Sequence, residues 1–279
     1  MGCCFSFINC LVAPAYSSTV VVATKKQIAD SPELLATPLN KVSIMTSHNT
    51  YIHTLQIGSV SSTKGLEIAL AKGARCIELD LFREPGRPAD VFVAHGREAP
   101  EGQNTLVTTK MPLAEALDFL AATAFAKTSD PLFIALEVNC HKEEAACDTI
   151  AYLFEVYFGS KLYKGKINPS TLLSDLVGKV ILIHGGGDVG EKMLALMNQE
   201  WGAEFQNAPY TIGFNDLAIG SSAVRLYPTG YSSDVVSANF DPMPMLNEGA
   251  TFVAMNMCTE DEHMVAYENY FRECSFMKH

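Results

Sequence analysis

The sequence predicts an α/β fold whose parallel strands close as a TIM-type (β/α)8 barrel, with latitude for distortion. Three observations carry this reading. Short β-branched runs alternate with helical segments, the pattern of parallel βαβ units. The 279 residues, 48% hydrophobic and 18% charged, suffice for a sizeable core. Chemically capable polar residues recur at the C-terminal ends of successive predicted strands, where a barrel carries its active site.

The elements follow in order. Ser31-Pro32-Glu33 reads as an N-cap with proline at the first helical position, and Pro38 ends that short helix. Val42 to Thr46 is strand-like, Lys64 to Lys72 helical, and Arg75 to Phe82 a β-rich run stopped by Pro85-Gly86. Asp90 to Ala94 is a short strand, Pro112 to Ala126 a helix, Leu132 to Val138 a strand, Lys142 to Phe158 a long amphipathic helix and Val180 to Ile183 a strand. Beyond Gly185 the pattern weakens: a helix near Glu191 to Glu200 and a polar stretch to Asn207 precede strands at Arg225 to Tyr227 and Thr251 to Asn256.

Charge narrows the function. With 20 Lys+Arg against 31 Asp+Glu the formal charge is −11, which argues against nucleic-acid binding and against membrane docking by charge alone. The eight cysteines form no CxxC pair and no tetrahedral zinc spacing, which fits a reducing compartment.

The first 24 residues carry no charged side chain. Met1-Gly2-Cys3-Cys4-Phe5-Ser6 fits N-myristoylation at Gly2 with S-palmitoylation at Cys3 and Cys4, and two acyl chains anchor stably where one does not. The expected location is the cytoplasmic face of a membrane. The alternative is a secretory signal running from Phe5 to Ala13, but it lacks a basic start and its removal would leave five cysteines, an odd number. Asn9, Pro14 and Ser17 to Thr19 interrupt any spanning helix.

The candidate chemistry sits at strand ends. His48 and Asn49 end the first strand, Glu78 and Asp80 lie late in the second, His95 ends the third and Glu137 closes the fourth. Glu78 and Asp80, two apart, share one face with Cα atoms roughly 7 Å apart. Carboxylates this close repel unless a cation lies among them, and all-oxygen donors select calcium or magnesium over zinc. His53, His141 and His263 fall outside the pattern. Gly185 to Lys192 fails as a phosphate-binding loop, because Glu191 stands where the lysine belongs.

From Pro38 onward the chain resembles the eukaryotic phosphoinositide-specific phospholipases C. The first half is carried by Ser47-His48-Asn49-Thr50-Tyr51, Gly73 to Asp80, Ala94-His95-Gly96, Leu136 to Cys140 and Gly178 to Ile183. Arg225-Leu226-Tyr227-Pro228, Ser237 to Pro242 and Val253 to Asn256 carry the second. With the acylation motif giving an acylated extension (1–37), the resemblance implies an X half of the catalytic barrel (38–187), a short linker (188–207) and a Y half (208–279). It implies a calcium-dependent phosphodiesterase that cleaves phosphatidylinositol or its phosphorylated forms to diacylglycerol and inositol phosphate through a cyclic phosphate. Asn49, Glu78, Asp80 and Glu137 correspond to Ca2+ ligands, and Arg225 and Tyr227 to headgroup contacts. Glu78 or Asp80 would accept the 2-hydroxyl proton. His95 would stabilise the transition state and His48 would protonate the departing glyceride oxygen.

The chain departs from that family at three places. His184-Gly185-Gly186-Gly187 stands where two lysines usually hold ring phosphates, Phe82 replaces a tryptophan, and Glu137-Val138-Asn139-Cys140 replaces Glu-Asn-His-Cys. The first implies a weakened preference for the bisphosphate. Two other readings are a glycerophosphodiester phosphodiesterase, against which the Arg225 to Tyr227 motif weighs, and an inactive phosphoinositide-binding scaffold, against which His48 and His95 weigh.

Overall fold

The structure, a computed structural model, describes residues 25–98, 104–140, 143–187, 189–199, 205–211, 217–228 and 237–279. Gly2, Cys3, Cys4 and His141 lie outside them. Among the described residues no helix is long and apolar enough to cross a membrane.

Seven strands run parallel side by side. In spatial order they are β9 (Phe205–Pro209), β10 (Ala223–Tyr227), β11 (Phe252–Met255), β1 (Val42–Ser47), β2 (Cys76–Glu84), β7 (Leu132–Asn139) and β8 (Val180–Gly187). An isolated parallel bridge from Ile183 to Gln199 adds the rudiment of an eighth beyond β8. Among the described residues, hydrogen bonds do not close the barrel between that segment and β9.

Helices Thr63–Lys72, Leu113–Thr123 and Glu144–Phe158 follow β1, β6 (Met111–Pro112, after the short antiparallel pair β4, Gly96–Glu98, and β5, Asn104–Leu106) and β7, and they bury apolar faces against the sheet. The first packs against the loop that leaves β1. A Cβ on Gly65 would meet the Thr50 carbonyl oxygen at 2.3 Å, so glycine there lets the helix lie against the loop that leaves β1.

The barrel interior is layered, and period-2 alternation produces the layers. Ile44, Cys76, Phe133, Ile181, Phe205, Ala223 and Phe252 form an apolar floor. Two and four residues further along the same faces the side chains turn polar: Thr46 and His48, Glu78 and Asp80, Arg225 and Tyr227, Asn256. On β7 the line runs through Ala135 to Glu137.

The structure corrects the expected topology in several places. The third strand, β3 (Arg87–Val93), is not a parallel barrel strand; it folds back antiparallel on β2, pairing Leu81 with Val93 and Glu84 with Arg87. Pro85-Gly86 makes the turn, with Gly86 at φ +74°, and two residues cannot carry the crossover that a parallel pair needs. The polar stretch expected up to Asn207 runs into a strand, β9, whose Asn207 accepts a hydrogen bond from Arg225 (3.0 Å). Strand β8 runs on through His184 to Gly187. Helix Glu262–Tyr270, whose Asp261 cap accepts from the Met264 N–H at 2.8 Å, was missed because it has little amphipathic pattern.

Candidate active site

Strand β1 ends at Ser47, and the chain turns sharply. His48 donates its N–H to Met255 of β11 at 2.9 Å, and Asn49 adopts φ +40°, a left-handed conformation rare outside glycine. The turn sends the Asn49 N–H to Glu78 Oε2 (3.1 Å). The structure therefore brings His48, Asn49, Glu78, Asp80, His95, Glu137, Arg225 and Tyr227 to one end of the barrel. His95 arrives from the antiparallel strand, because the Ala94 N–H bonds the Asp80 carbonyl (3.2 Å) and sets the next residue beside the middle of β2.

Glu78 lies between two partners. Its Oε1 sits 2.6 Å from Arg225 Nη2 and its Oε2 3.9 Å from His48 Nε2. Burial would raise its pKa, but Arg225, His48 and the Asn49 N–H together hold it below the ordinary value. Arg225, only 2% exposed, is thus spent on a carboxylate and on Asn207 rather than open to solvent. Tyr227 stacks parallel to His48, ring centres 6.5 Å apart, and lies 5.5 Å from the Arg225 guanidinium.

The other carboxylates stand in a different balance. Asp80 and Glu137 are register partners on β2 and β7, and the charge of Asp80, followed by burial, pushes Glu137 up to about 7. Asp80 Oδ2 accepts from Tyr51 (2.7 Å), while Asp80 Oδ1 is buried without a hydrogen-bond partner. Tyr51 has one proton and gives it over the shorter bond. Asn49 Oδ1, 3.2 Å from the same hydroxyl, is left short of a donor.

Among the described residues no three His, Cys, Asp or Glu side chains close into a ready metal centre, and Glu78 is turned toward Arg225. The donor set nonetheless fits a hard cation. Two under-satisfied oxygens, on Asp80 and Asn49, belong to residues that share Tyr51 as a neighbour, and the mutually repelling Asp80 and Glu137 sit side by side in register.

The two histidines are tuned oppositely. Burial lowers the His48 pKa despite Glu78. Burial would also lower that of His95, but Asp80, 3.4 Å from its Nδ1, together with Glu137 and Glu78 outweighs it and raises the value. His48 Nδ1 lies 2.9 Å from Asn256 Oδ1.

Sequence reasoning assigned no role to Gln56, Tyr51, Asn207, Ser237 or Asn256. One signal was available in the sequence: Asn256, like His48, stands just past a strand end on the interior-facing line. The left-handed backbone of Ser237 (φ +55°) is visible only in the structure.

Comparison with known proteins identifies the family. The profile of the phosphatidylinositol-specific phospholipase C X domain matches residues 35–185, and that of the Y domain residues 218–277. Human 1-phosphatidylinositol 4,5-bisphosphate phosphodiesterase delta-1 is 23% identical over 309 residues, covering 85% of this chain and 39% of its own. The Saccharomyces cerevisiae phosphodiesterase 1 is 34% identical over 111 residues, 40% of this chain and 11% of its own. The chain thus spans well under half the length of these relatives. Among solved structures, L. pealei PLC21 superposes with a TM-score of 0.74 at 19% identity, over 88% of this chain and 37% of that one. A calcium-dependent phosphoinositol-specific phospholipase C from Pseudomonas superposes at 0.54 with 15% identity, over 89% and 97% of the two chains. With over half of its length matched by the X-domain profile, and the Y-domain profile following in order, the chain belongs to the phosphatidylinositol-specific phospholipase C family.

Proposed function

We propose that this chain is a calcium-dependent phosphodiesterase of membrane inositol lipids, releasing diacylglycerol and an inositol phosphate through a cyclic intermediate. The observation that carries it is the pair of histidines with opposite pKa shifts facing a carboxylate cluster with an unpaired oxygen. Environments that push two titratable groups apart assign an acid and a base.

We read His48, rather than Glu78 or Asp80, as the base, and give His95 the acid role expected of His48 beside its stabilising one. His48 is held neutral by burial and donates from Nδ1 to Asn256, which leaves the Nε2 lone pair free to take the proton of the inositol 2-hydroxyl. His95, whose pKa burial lowers and the neighbouring Asp80 raises beyond that, would in its protonated form stabilise charge on the phosphoryl oxygens and hand its proton to the glyceride oxygen as the bond to phosphorus breaks. Asn49, Asp80 and Glu137, with Glu78 if it leaves Arg225, would hold Ca2+. When bound, the ion supplies charge neutralisation and lowers the pKa of the attacking hydroxyl. Arg225 would reach a ring phosphate by releasing Glu78, and half-buried Tyr227 would stack on the ring.

Approach to a membrane is supported by the loop after β1, where Leu55, Ile57 and Val60 are 48%, 42% and 49% exposed beside the mouth. Apolar side chains gathered there suit insertion among lipids. Acylated Gly2, Cys3 and Cys4 would hold the chain at the inner face of the membrane, and Gly2→Ala should release it to the cytosol.

The test is to incubate the protein with phosphatidylinositol vesicles and with glycerophosphoinositol, with and without calcium, and identify products. Diacylglycerol formed only with calcium supports the proposal. Cleavage of glycerophosphoinositol alone favours the glycerophosphodiesterase reading, and no product the scaffold. A rate unchanged by a chelator would remove the metal assignment.

A further inference from the structure

We propose that Gln56 is a positioning residue: its single carboxamide fixes the orientation of Asn49 and braces the partner of His48, tying the exposed apolar loop to the catalytic groups. The inference rests on the functional reading above. Leu55 and Ile57 point outward, but Gln56 between them is 3% exposed, so a polar side chain is turned inward from an apolar loop. A buried carboxamide costs free energy unless it is bonded, and this one is bonded at both ends. Gln56 Oε1 accepts from Asn49 Nδ2 at 2.8 Å, and Gln56 Nε2 donates to Asn256 Oδ1 and Ser237 Oγ, each at 3.2 Å.

The polarity of this chain of amides follows from two backbone carbonyls, which can only accept. Asn256 donates Nδ2 to the Ala238 carbonyl (3.1 Å), so its Oδ1 must face Gln56 and His48. The Ser237 hydroxyl gives its one proton to the Thr54 carbonyl (2.9 Å), so toward Gln56 it can only accept. Both constraints demand the Gln56 amino group at that end. The Gln56 carbonyl must then face Asn49, whose amino group turns to meet it, and the Asn49 carbonyl is directed toward Tyr51 and Asp80. Of the other two contacts of the Asn49 carboxamide, the Tyr51 hydroxyl has given its proton to Asp80 and a protonated His95 Nδ1 (3.5 Å) can only donate, so neither sets this orientation. Gln56 therefore decides which way Asn49 presents its oxygen. The same chain makes His48 Nδ1 a donor and leaves Nε2 bare.

Two substitutions separate the two ends. Gln56→Met removes both bonds, whereas Gln56→Glu, of equal size, keeps an acceptor for Asn49 but sets an acceptor against Asn256 Oδ1. Outer partners of metal ligands are worth ~10 to 100-fold in affinity or activity. Calorimetric titration with calcium alone should show Gln56→Met weakened by ~10 to 100-fold and Gln56→Glu at or above the unsubstituted affinity, by that same scale. Both variants should lose ~10-fold or more in kcat on phosphatidylinositol vesicles, with vesicle binding unchanged because Leu55 and Ile57 remain. In metal-free protein, imidazole 15N resonances should report His48 protonated at Nδ1, and both variants should shift them. Unchanged calcium affinity and unchanged resonances in Gln56→Met would overturn the inference. If the unsubstituted chain neither binds calcium nor cleaves lipid, the functional reading fails, and the resonances still decide the role of Gln56.

Discussion

The two runs of strands put opposite chemistry into one mouth. Strands β1, β2 and β7, with the turn after β3, contribute three carboxylates and both histidines, while β9, β10 and β11 contribute a guanidinium and the carboxamides of Asn207 and Asn256. The first run can do acid–base chemistry but is overloaded with negative charge; the second does none but compensates one carboxylate and orients one histidine. The difference teaches that the site is divided by charge: the reacting groups come from the first run and the groups that hold them from the second.

The comparison breaks most severely at Arg225. Arg225→Ala would leave Glu78 as a buried carboxylate without its counter-ion, a loss on the order of 3–5 kcal/mol for a pair this buried. Urea denaturation should show it, and adding Glu78→Gln should recover part of the loss. An Arg225→Ala protein of normal stability would mean that the two runs are electrostatically independent.

Removing reacting groups should leave the fold and strike the rate. His48→Ala and His95→Ala should each lower kcat by at least ~10²-fold with thermal unfolding little changed. The pH–rate profile sharpens this further: its acidic limb should belong to His48, whose pKa is lowered, and its basic limb to His95, whose pKa is raised. Near-normal turnover in either variant would reduce that histidine to a structural role.

A smaller effect concerns substrate. Gly186 lies opposite Glu137 in the β7–β8 register, so β8 offers no lysine at that position. Each charged hydrogen bond is worth ~1.5 to 3 kcal/mol, and preference for the bisphosphate over phosphatidylinositol should be ~10-fold or more below that of a pocket with two lysines there. Installing lysine at His184 and Gly186 should raise it; a ~100-fold preference in the unsubstituted protein would refute the point.

The mildest effect is on stability. The folded-state pKa of Glu137 is raised, so the stability associated with its protonated form is fully present below its ordinary 4.5 and lost as pH rises through about 7. Without calcium the Tm should fall by a few degrees across that window, more in the unsubstituted protein than in Glu137→Gln. Parallel pH curves for the two proteins would show that Asp80 does not burden Glu137.

The sequence alone determined the parallel α/β core and the residues of its mouth, because both are period-2 properties of single strands. A line such as Cys76, Glu78, Asp80 states which side is buried and where it turns polar. It also contained the Pro85-Gly86 turn, yet not that β3 returns antiparallel, since pairing direction depends on which neighbour a strand meets. β9 was hidden because Gln206 and Asn207 read as a loop; a polar strand is stable only where Arg225 and the Ala218 N–H wait to bond it. Gln56 was hidden for the same reason. Flanked by Leu55 and Ile57 it could have pointed to solvent, and only the Asn49 amide at one end and Ser237 and Asn256, distant in sequence, at the other give it something to bond. Local patterns record burial and periodicity, whereas the pairing of a buried polar group is a property of the atoms that folding brings to it.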